Sequence, residues 1–185
     1  MVHPSRTYAA ALAAPSGGAW GGIRRPALVA LIVGVATAVS STGHLTVALL
    51  VSGVLCWSFV PLLQIATAAV VMRSPVARRL PLGRRLDLWF MGHAAWSLWI
   101  LAAAFILANT PEGWHVEWPI IASAVIPIAW TSIIAAAFCR VVLGDPPAVA
   151  RTRTAVHQAL TGTIALLYVA YAVALWPRVV AFFGR

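Results

Sequence analysis

The chain has 185 residues, of which 62% are hydrophobic and 9% are charged, and its formal net charge is +9. A soluble domain is about half apolar and about a quarter charged, so this composition excludes a water-soluble globular protein and indicates a surface that faces lipid. The arginines lie between apolar runs rather than in a soluble basic module, which argues against nucleic-acid binding.

Residues 1–25 form a segment rich in alanine, glycine, serine and proline, with Arg6, Arg24 and Arg25. Its apolar run, residues 8–14, is short and weakly apolar for the core of a signal peptide. We therefore predict that residues 1–25 are a flexible cytoplasmic tail.

Five long apolar runs follow within residues 26–177. A helix that crosses a bilayer needs about 20 apolar residues, and Pro26 stands at a position suited to a helix start. The sequence predicts an all-α, polytopic transmembrane helix bundle, followed by a short interfacial tail at residues 178–185. The five predicted spans are 27–43, 45–72, 86–109, 118–143 and 154–176.

The arginines predict how the chain is threaded through the membrane. Short cytoplasmic loops carry an excess of arginine, whereas the loops on the other side of this chain contain Glu112 and Glu117 and no arginine. Five spans then give a cytoplasmic N-terminus and an external C-terminus. Arg178 and Arg185 conflict with this orientation, because they would lie on the external side. The loop between the second and third spans holds five arginines, which we expect to contact anionic headgroups at about 1 kcal/mol each. They are Arg73, Arg78, Arg79, Arg84 and Arg85.

Polar side chains interrupt the apolar runs in the predicted cytoplasmic half of the membrane. His93, for example, lies seven residues into the third span, which places it about 10 Å below the inner boundary. Polar groups inside a bilayer face the bundle interior and pair with one another. We therefore expect one intramembrane polar layer, which is either structural or lines a pocket. Its members are Gln64, Asp87, His93, Arg140 and His157.

Two prolines stand inside predicted spans. Pro61 and Pro127 each remove a backbone donor and crowd the preceding turn, so we expect kinks in the second and fourth helices.

The two cysteines, Cys56 and Cys139, lie in apolar runs, and no C-x-x-C motif occurs. We therefore expect neither a disulfide nor a zinc site, and no metal or cofactor. The alternative is haem ligation by His93 and His157, which stand on different helices at similar depth.

No catalytic motif, glycine-rich phosphate loop or metal signature is visible in the sequence. The leading hypothesis is a non-enzymatic subunit or scaffold that associates with the lipid bilayer and with a membrane protein partner, or with further copies of itself. The exclusive use of arginine over lysine suggests a GC-rich genome, and we expect a multi-pass protein of a bacterial inner (plasma) membrane.

Three alternatives stay open. The first is a small carrier or lipid-handling protein with a cytoplasm-facing polar pocket. The second is a haem-binding electron-transfer protein that uses His93 and His157. The third is an enzyme in which one of these histidines, near Asp87, acts as a base.

Overall fold

The computed structural model describes residues 3–15, 18–42, 46–73, 79–111 and 113–183. Within these ranges the regular elements are helical and no residue belongs to a β-strand. A short 3-10 turn, Met91–His93, separates the fifth and sixth helices. The helices are α1 (Pro4–Ala13), α2 (Gly18–Thr42), α3 (Val47–Trp57), α4 (Phe59–Val71), α5 (Leu82–Phe90), α6 (Ala94–Asn109), α7 (Glu117–Ser123), α8 (Val125–Val141) and α9 (Pro147–Phe183).

Four stretches of the described chain are long and apolar enough to cross a membrane. They are Gly22–Val39, Val47–Val71, Leu82–Asn109 and Trp118–Val141, and each overlaps one of the first four predicted spans. The described residues thus confirm an all-helical fold in which four helical stretches are long and apolar enough to cross a membrane. The fifth predicted span lies within α9, which at 37 residues is about 55 Å long. Five spans and their orientation stay predictions.

The second and fourth predicted spans are interrupted near their internal prolines, whereas α2 continues through Pro26, which therefore does not stand at its start. α3 gives way to α4 at Ser58, and α7 gives way to α8 at Ala124, in each case three residues before the proline. This is the position at which Pro61 and Pro127 disturb the preceding turn, as the sequence predicts. The 3-10 turn between α5 and α6 has no proline and was not predicted. It contains Gly92, where a Cβ atom would lie 3.1 Å from Ile134 Cγ2.

The helices pack in a closed order around the bundle. α2 contacts α6, α6 contacts α8, α8 contacts α9, α9 contacts α4, and α4 contacts α2. α3 and α5 also lie against α2, and α1 packs on α8. The second and fifth predicted spans are therefore neighbours through α4 and α9.

Glycines set the closest helix contacts. A Cβ atom on Gly34 of α2 would lie 2.7 Å from Val54 Cγ2 of α3, and one on Gly53 would lie 2.9 Å from the Gly34 carbonyl oxygen. A Cβ atom on Gly22 would lie 2.7 Å from Gly83 Cα of α5. Small residues at these crossings let the backbones approach closely, which is how helices pack inside a membrane.

The N-terminal segment differs from the predicted flexible tail. Pro4–Ala13 forms α1, and its Tyr8 side chain is only 1% exposed. The helix is fixed by contacts with α8 and not by its own hydrophobicity, which explains why composition alone suggested a flexible segment. Because α2 begins at Gly18, Arg24 and Arg25 belong to a helix. At the other end, the predicted tail from residue 178 begins inside α9, which continues to Phe183.

Candidate functional site

A cavity of about 40 Å³ lies where α4, α6, α8 and α9 meet, with α1 and the 3-10 turn at its edge. This volume has room for a few water molecules. Trp89 and Trp96 form part of its apolar wall. Its polar lining consists of Tyr8, Gln64, His93, Thr131, His157 and Gln158.

Both histidines of the cavity are buried and held by aromatic rings. His93, at the end of the 3-10 turn, is 8% exposed and stacks on Phe90 with ring centroids 5.0 Å apart. His157 of α9 is 5% exposed and meets Trp89 edge to face, with centroids 4.7 Å apart. These aromatic contacts fix the ring orientations and leave both imidazoles at the cavity wall.

One edge of His157 meets a pair of threonine hydroxyls. Thr161 Oγ1 donates to Thr67 Oγ1 at 3.1 Å, and Thr67 donates to the Leu63 carbonyl at 2.9 Å. The Thr161 oxygen lies 3.5 Å from His157 Nδ1. Because the Thr161 hydroxyl proton is used toward Thr67, its oxygen is oriented to accept from an Nδ1–H group. This arrangement favours the tautomer that leaves Nε2 of His157 unprotonated.

Gln158 links α9 to α8 beside the cavity. Its Nε2 donates to Thr131 Oγ1 and to Ser132 Oγ, each at 3.2 Å. Thr131 in turn donates to the Pro127 carbonyl at 2.6 Å. Sequence reasoning missed Gln158, although its position directly after His157 was a visible signal.

The predicted polar layer is divided in the structure. Gln64, His93 and His157 line one cavity, whereas Asp87 and Arg140 lie elsewhere. The layer was inferred from depth alone, and depth does not fix the helix face. Asp87 is six residues before His93, which turns it about 120° around the helix axis. Arg140 is nine residues after Thr131, which puts it about 180° away, and its side chain is exposed.

Asp87 instead pairs with two arginines, Arg84 of its own helix α5 and Arg25 of α2. Arg25 Nε lies 3.3 Å from Asp87 Oδ1, and Arg84 Nη1 lies 3.6 Å from Asp87 Oδ2. Arg25 also donates to the Asp87 carbonyl oxygen at 2.6 Å. One carboxylate thus holds two guanidinium groups, at side-chain exposures of 13% for Asp87 and 28% for Arg25.

The arginines predicted to bind headgroups have different surroundings. Arg73 and Arg79 are exposed, and Arg85 is half-buried. Arg84 donates to the carbonyl oxygens of Ala11 and Ala14 at the end of α1, as well as pairing with Asp87. Arg78 lies outside the described residues. Headgroup contact by these five arginines stays a prediction, and Arg84 already makes polar contacts within the protein.

A second ion pair, which sequence reasoning missed, fixes the turn between α8 and α9. Arg153 Nε lies 3.1 Å from Asp145 Oδ2, an ion-pair distance without the alignment of a hydrogen bond. Arg153 also donates to the Val71 carbonyl at the end of α4 at 2.5 Å. Gly144, with φ of 70°, supplies the left-handed residue that ends α8. The pair therefore ties α4, α8 and α9 together near the cavity.

Tyr8 is the cavity residue that the sequence gave least reason to expect. Its ring meets Phe138 of α8 edge to face, with centroids 5.6 Å apart. Burial raises the pKa of the Tyr8 hydroxyl, although the charge of Arg25 acts in the opposite direction. The hydroxyl therefore stays protonated near neutral pH and is available as a donor.

The described residues include no group of three or more histidine, cysteine or acidic side chains that could hold a metal ion. Cys139 is buried as a free thiol in α8. No protein family, curated protein or solved structure matches the chain. Function is therefore inferred from the geometry of the described residues.

Proposed function

We propose that the chain is a non-enzymatic integral membrane protein that works as a subunit or scaffold, through association of its membrane-facing surface with a membrane protein or lipid. The observation that supports this is the contrast between its internal and external surfaces. The cavity has room for only a few water molecules, whereas in each of the four apolar stretches less than half of the most apolar window is buried, from 17% in Leu82–Asn109 to 44% in Gly22–Val39. Most of the surface available for binding is therefore apolar and faces outward.

The second half of α9 is a suitable place to test the proposal. Ile164, Leu167 and Tyr171 follow i, i+3, i+7 spacing and are all exposed, Leu167 to 64% and Tyr171 to 66%. Next to these three residues on α9, the Tyr168 ring stacks on Phe59 of α4, with ring centroids 3.8 Å apart.

The experiment places a photo-crosslinking amino acid at Leu167 in native membranes. The matched control carries it at Leu98 of α6, which is also apolar and 59% exposed. A scaffold is expected to give a discrete protein adduct from one of these faces and mainly lipid adducts from the other. Lipid adducts alone from both faces, and from Ile164 and Tyr171 as well, would argue against association with a protein.

A second candidate function is a carrier for protons or another solute the size of water. It is supported by the two buried histidines from different helices, together with two glutamines, on the wall of one cavity. A lipid or drug-sized solute is not favoured, because pockets for such ligands span about 300–1,000 Å³. This candidate is tested by reconstituting the purified protein in liposomes with an entrapped pH dye and measuring the proton flux. A proton flux that His93→Leu abolishes supports the carrier, and no flux above that of empty liposomes contradicts it.

The remaining alternatives have less support. His93 and His157 share the cavity, but its volume does not fit a haem macrocycle, so we propose no electron transfer. A reduced-minus-oxidised spectrum of the purified protein tests this, and a Soret band lost in His93→Ala would restore haem ligation. The enzyme alternative relied on Asp87 beside a histidine, whereas Asp87 is bound by Arg25 and Arg84.

A further inference from the structure

The cavity is completed by a residue from outside the predicted spans. Tyr8 of α1 reaches its edge, is 1% exposed, and has its hydroxyl 3.6 Å from where a Gly92 Cβ atom would stand. Its ring lies against Phe138, which is itself fully buried. The phenol ring is thus packed against α8 and the 3-10 turn, and it lines the same cavity as His93.

A chain of contacts holds α1 in this place. Asp87 pairs with Arg84, and Arg84 donates to the Ala11 and Ala14 carbonyl oxygens at the C-terminal end of α1. These carbonyls belong to the last turn and the C-cap, where a helix lacks internal donors and carries partial negative charge. Arg84 therefore secures the end of α1 without touching the cavity.

We propose that the inner end of the cavity is a binding pocket for an aromatic side chain, which the chain itself fills with Tyr8, so that α1 is a plug between the cavity and the predicted cytoplasmic side. The kind of group that this pocket accepts is a planar aromatic ring with one polar group, as in the tyrosine side chain. The inference deepens the second candidate function, since a plug would control access to His93 and His157. Its test measures closure directly and does not depend on transport.

The test follows the reaction of a cavity thiol with a small, charged thiosulfonate reagent. The reporter is Ala135→Cys, on the cavity wall of α8, in a chain that also carries Cys56→Ala and Cys139→Ala. Tyr8→Ala is expected to raise the labelling rate at least about tenfold. The reason is that removing a buried aromatic ring lowers the stability of the packed state by more free energy than a tenfold change in the labelling rate requires. Tyr8→Phe keeps the ring and is expected to keep the slow rate.

Two controls separate opening from general loosening. Arg140→Cys, at an exposed position of the same helix, is expected to label at one rate with or without Tyr8→Ala. Thr7→Ala removes a hydroxyl that donates to the His3 carbonyl at the N-cap of α1, and is expected to leave the Ala135→Cys rate unchanged.

Arg84→Gln provides a second variant in case Tyr8→Ala does not fold. It keeps the side chains of the cavity and weakens the attachment of α1, so the labelling rate is expected to rise here too. An unchanged rate in whichever of the two variants elutes as a folded protein overturns the proposal. So does equal acceleration at Arg140→Cys, because that result indicates loss of the bundle rather than removal of a plug.

Discussion

His93 and His157 come from different predicted spans and line the same cavity, each fixed by a tryptophan or phenylalanine ring. An imidazole inside a bilayer is tolerated where neighbouring helices supply polar partners, and here Thr161, Thr67 and the two glutamines lie close by. The histidine that interrupts the third apolar run therefore belongs to an interior polar site.

His93→Leu is expected to lower the free energy of unfolding by about 1 kcal/mol or less, because hydrogen bonds between membrane helices are worth little more. Denaturant unfolding in detergent measures the change. His157→Leu, on α9, is the matched variant in the same cavity. A loss of several kcal/mol in either would show that the cavity is a main determinant of stability. Unchanged stability with lost cellular function would assign the histidine a functional role.

Gly34→Ala is expected to destabilise the bundle by about 1–3 kcal/mol, because the new Cβ atom would lie 2.7 Å from Val54 Cγ2 and would push α2 away from α3. Gly162→Ala is the matched control. It adds the same atom to a helix where nothing lies within 4 Å, and is expected to be neutral or to stabilise by up to about 1 kcal/mol. Equal melting temperatures for the two variants would contradict the close crossing of α2 and α3.

Asp87→Asn is expected to cost about 2 kcal/mol, because it leaves the partly buried Arg25 and Arg84 guanidinium groups without their carboxylate. Thermal unfolding in detergent measures it. Arg140→Gln removes one charge from an exposed position and is expected to change stability by less than about 0.5 kcal/mol. If the two variants behaved alike, the contact of α2 with α5 would not depend on this ion pair.

Reporter fusions test the number of spans and their orientation. A protein fused after residue 185 that functions only outside the cytoplasm is expected to be active, and one that folds only in the cytoplasm is expected to be inactive. The reverse pattern holds for fusions within the arginine-rich loop near Arg79. A cytoplasmic C-terminus would reduce the spans to an even number and would remove α9 from the membrane-crossing set.

Much of the helical framework was predictable because it depends on local chemistry. Apolar runs of spanning length mark the first four spans, and Pro61 and Pro127 mark the interruptions at Ser58 and Ala124. Depth in the membrane likewise follows from the position of a residue along a helix. These properties need no knowledge of neighbouring helices.

The composition of the site was less predictable because it depends on which helix faces meet. Asp87 and Arg140 lie in the same predicted half of the membrane as the histidines but are outside the cavity, so the predicted layer of five side chains is divided. Tyr8 lies in a segment whose composition suggests flexibility, and tertiary contacts such as its packing on Phe138 bring it to the cavity. Helix order around a bundle is a tertiary property that one chain does not reveal.

The most direct measurement compares the membrane proteome of the native host with and without the gene, and after complementation. If the protein is a subunit or scaffold, its deletion is expected to lower the abundance of at least one other membrane protein. Both the wild type and the His93→Leu, His157→Leu double variant should restore that abundance. The account would be contradicted by a deletion that changes no membrane protein. It would also be contradicted by a double variant that accumulates at the wild-type level yet restores nothing, since the cavity would then be the working site.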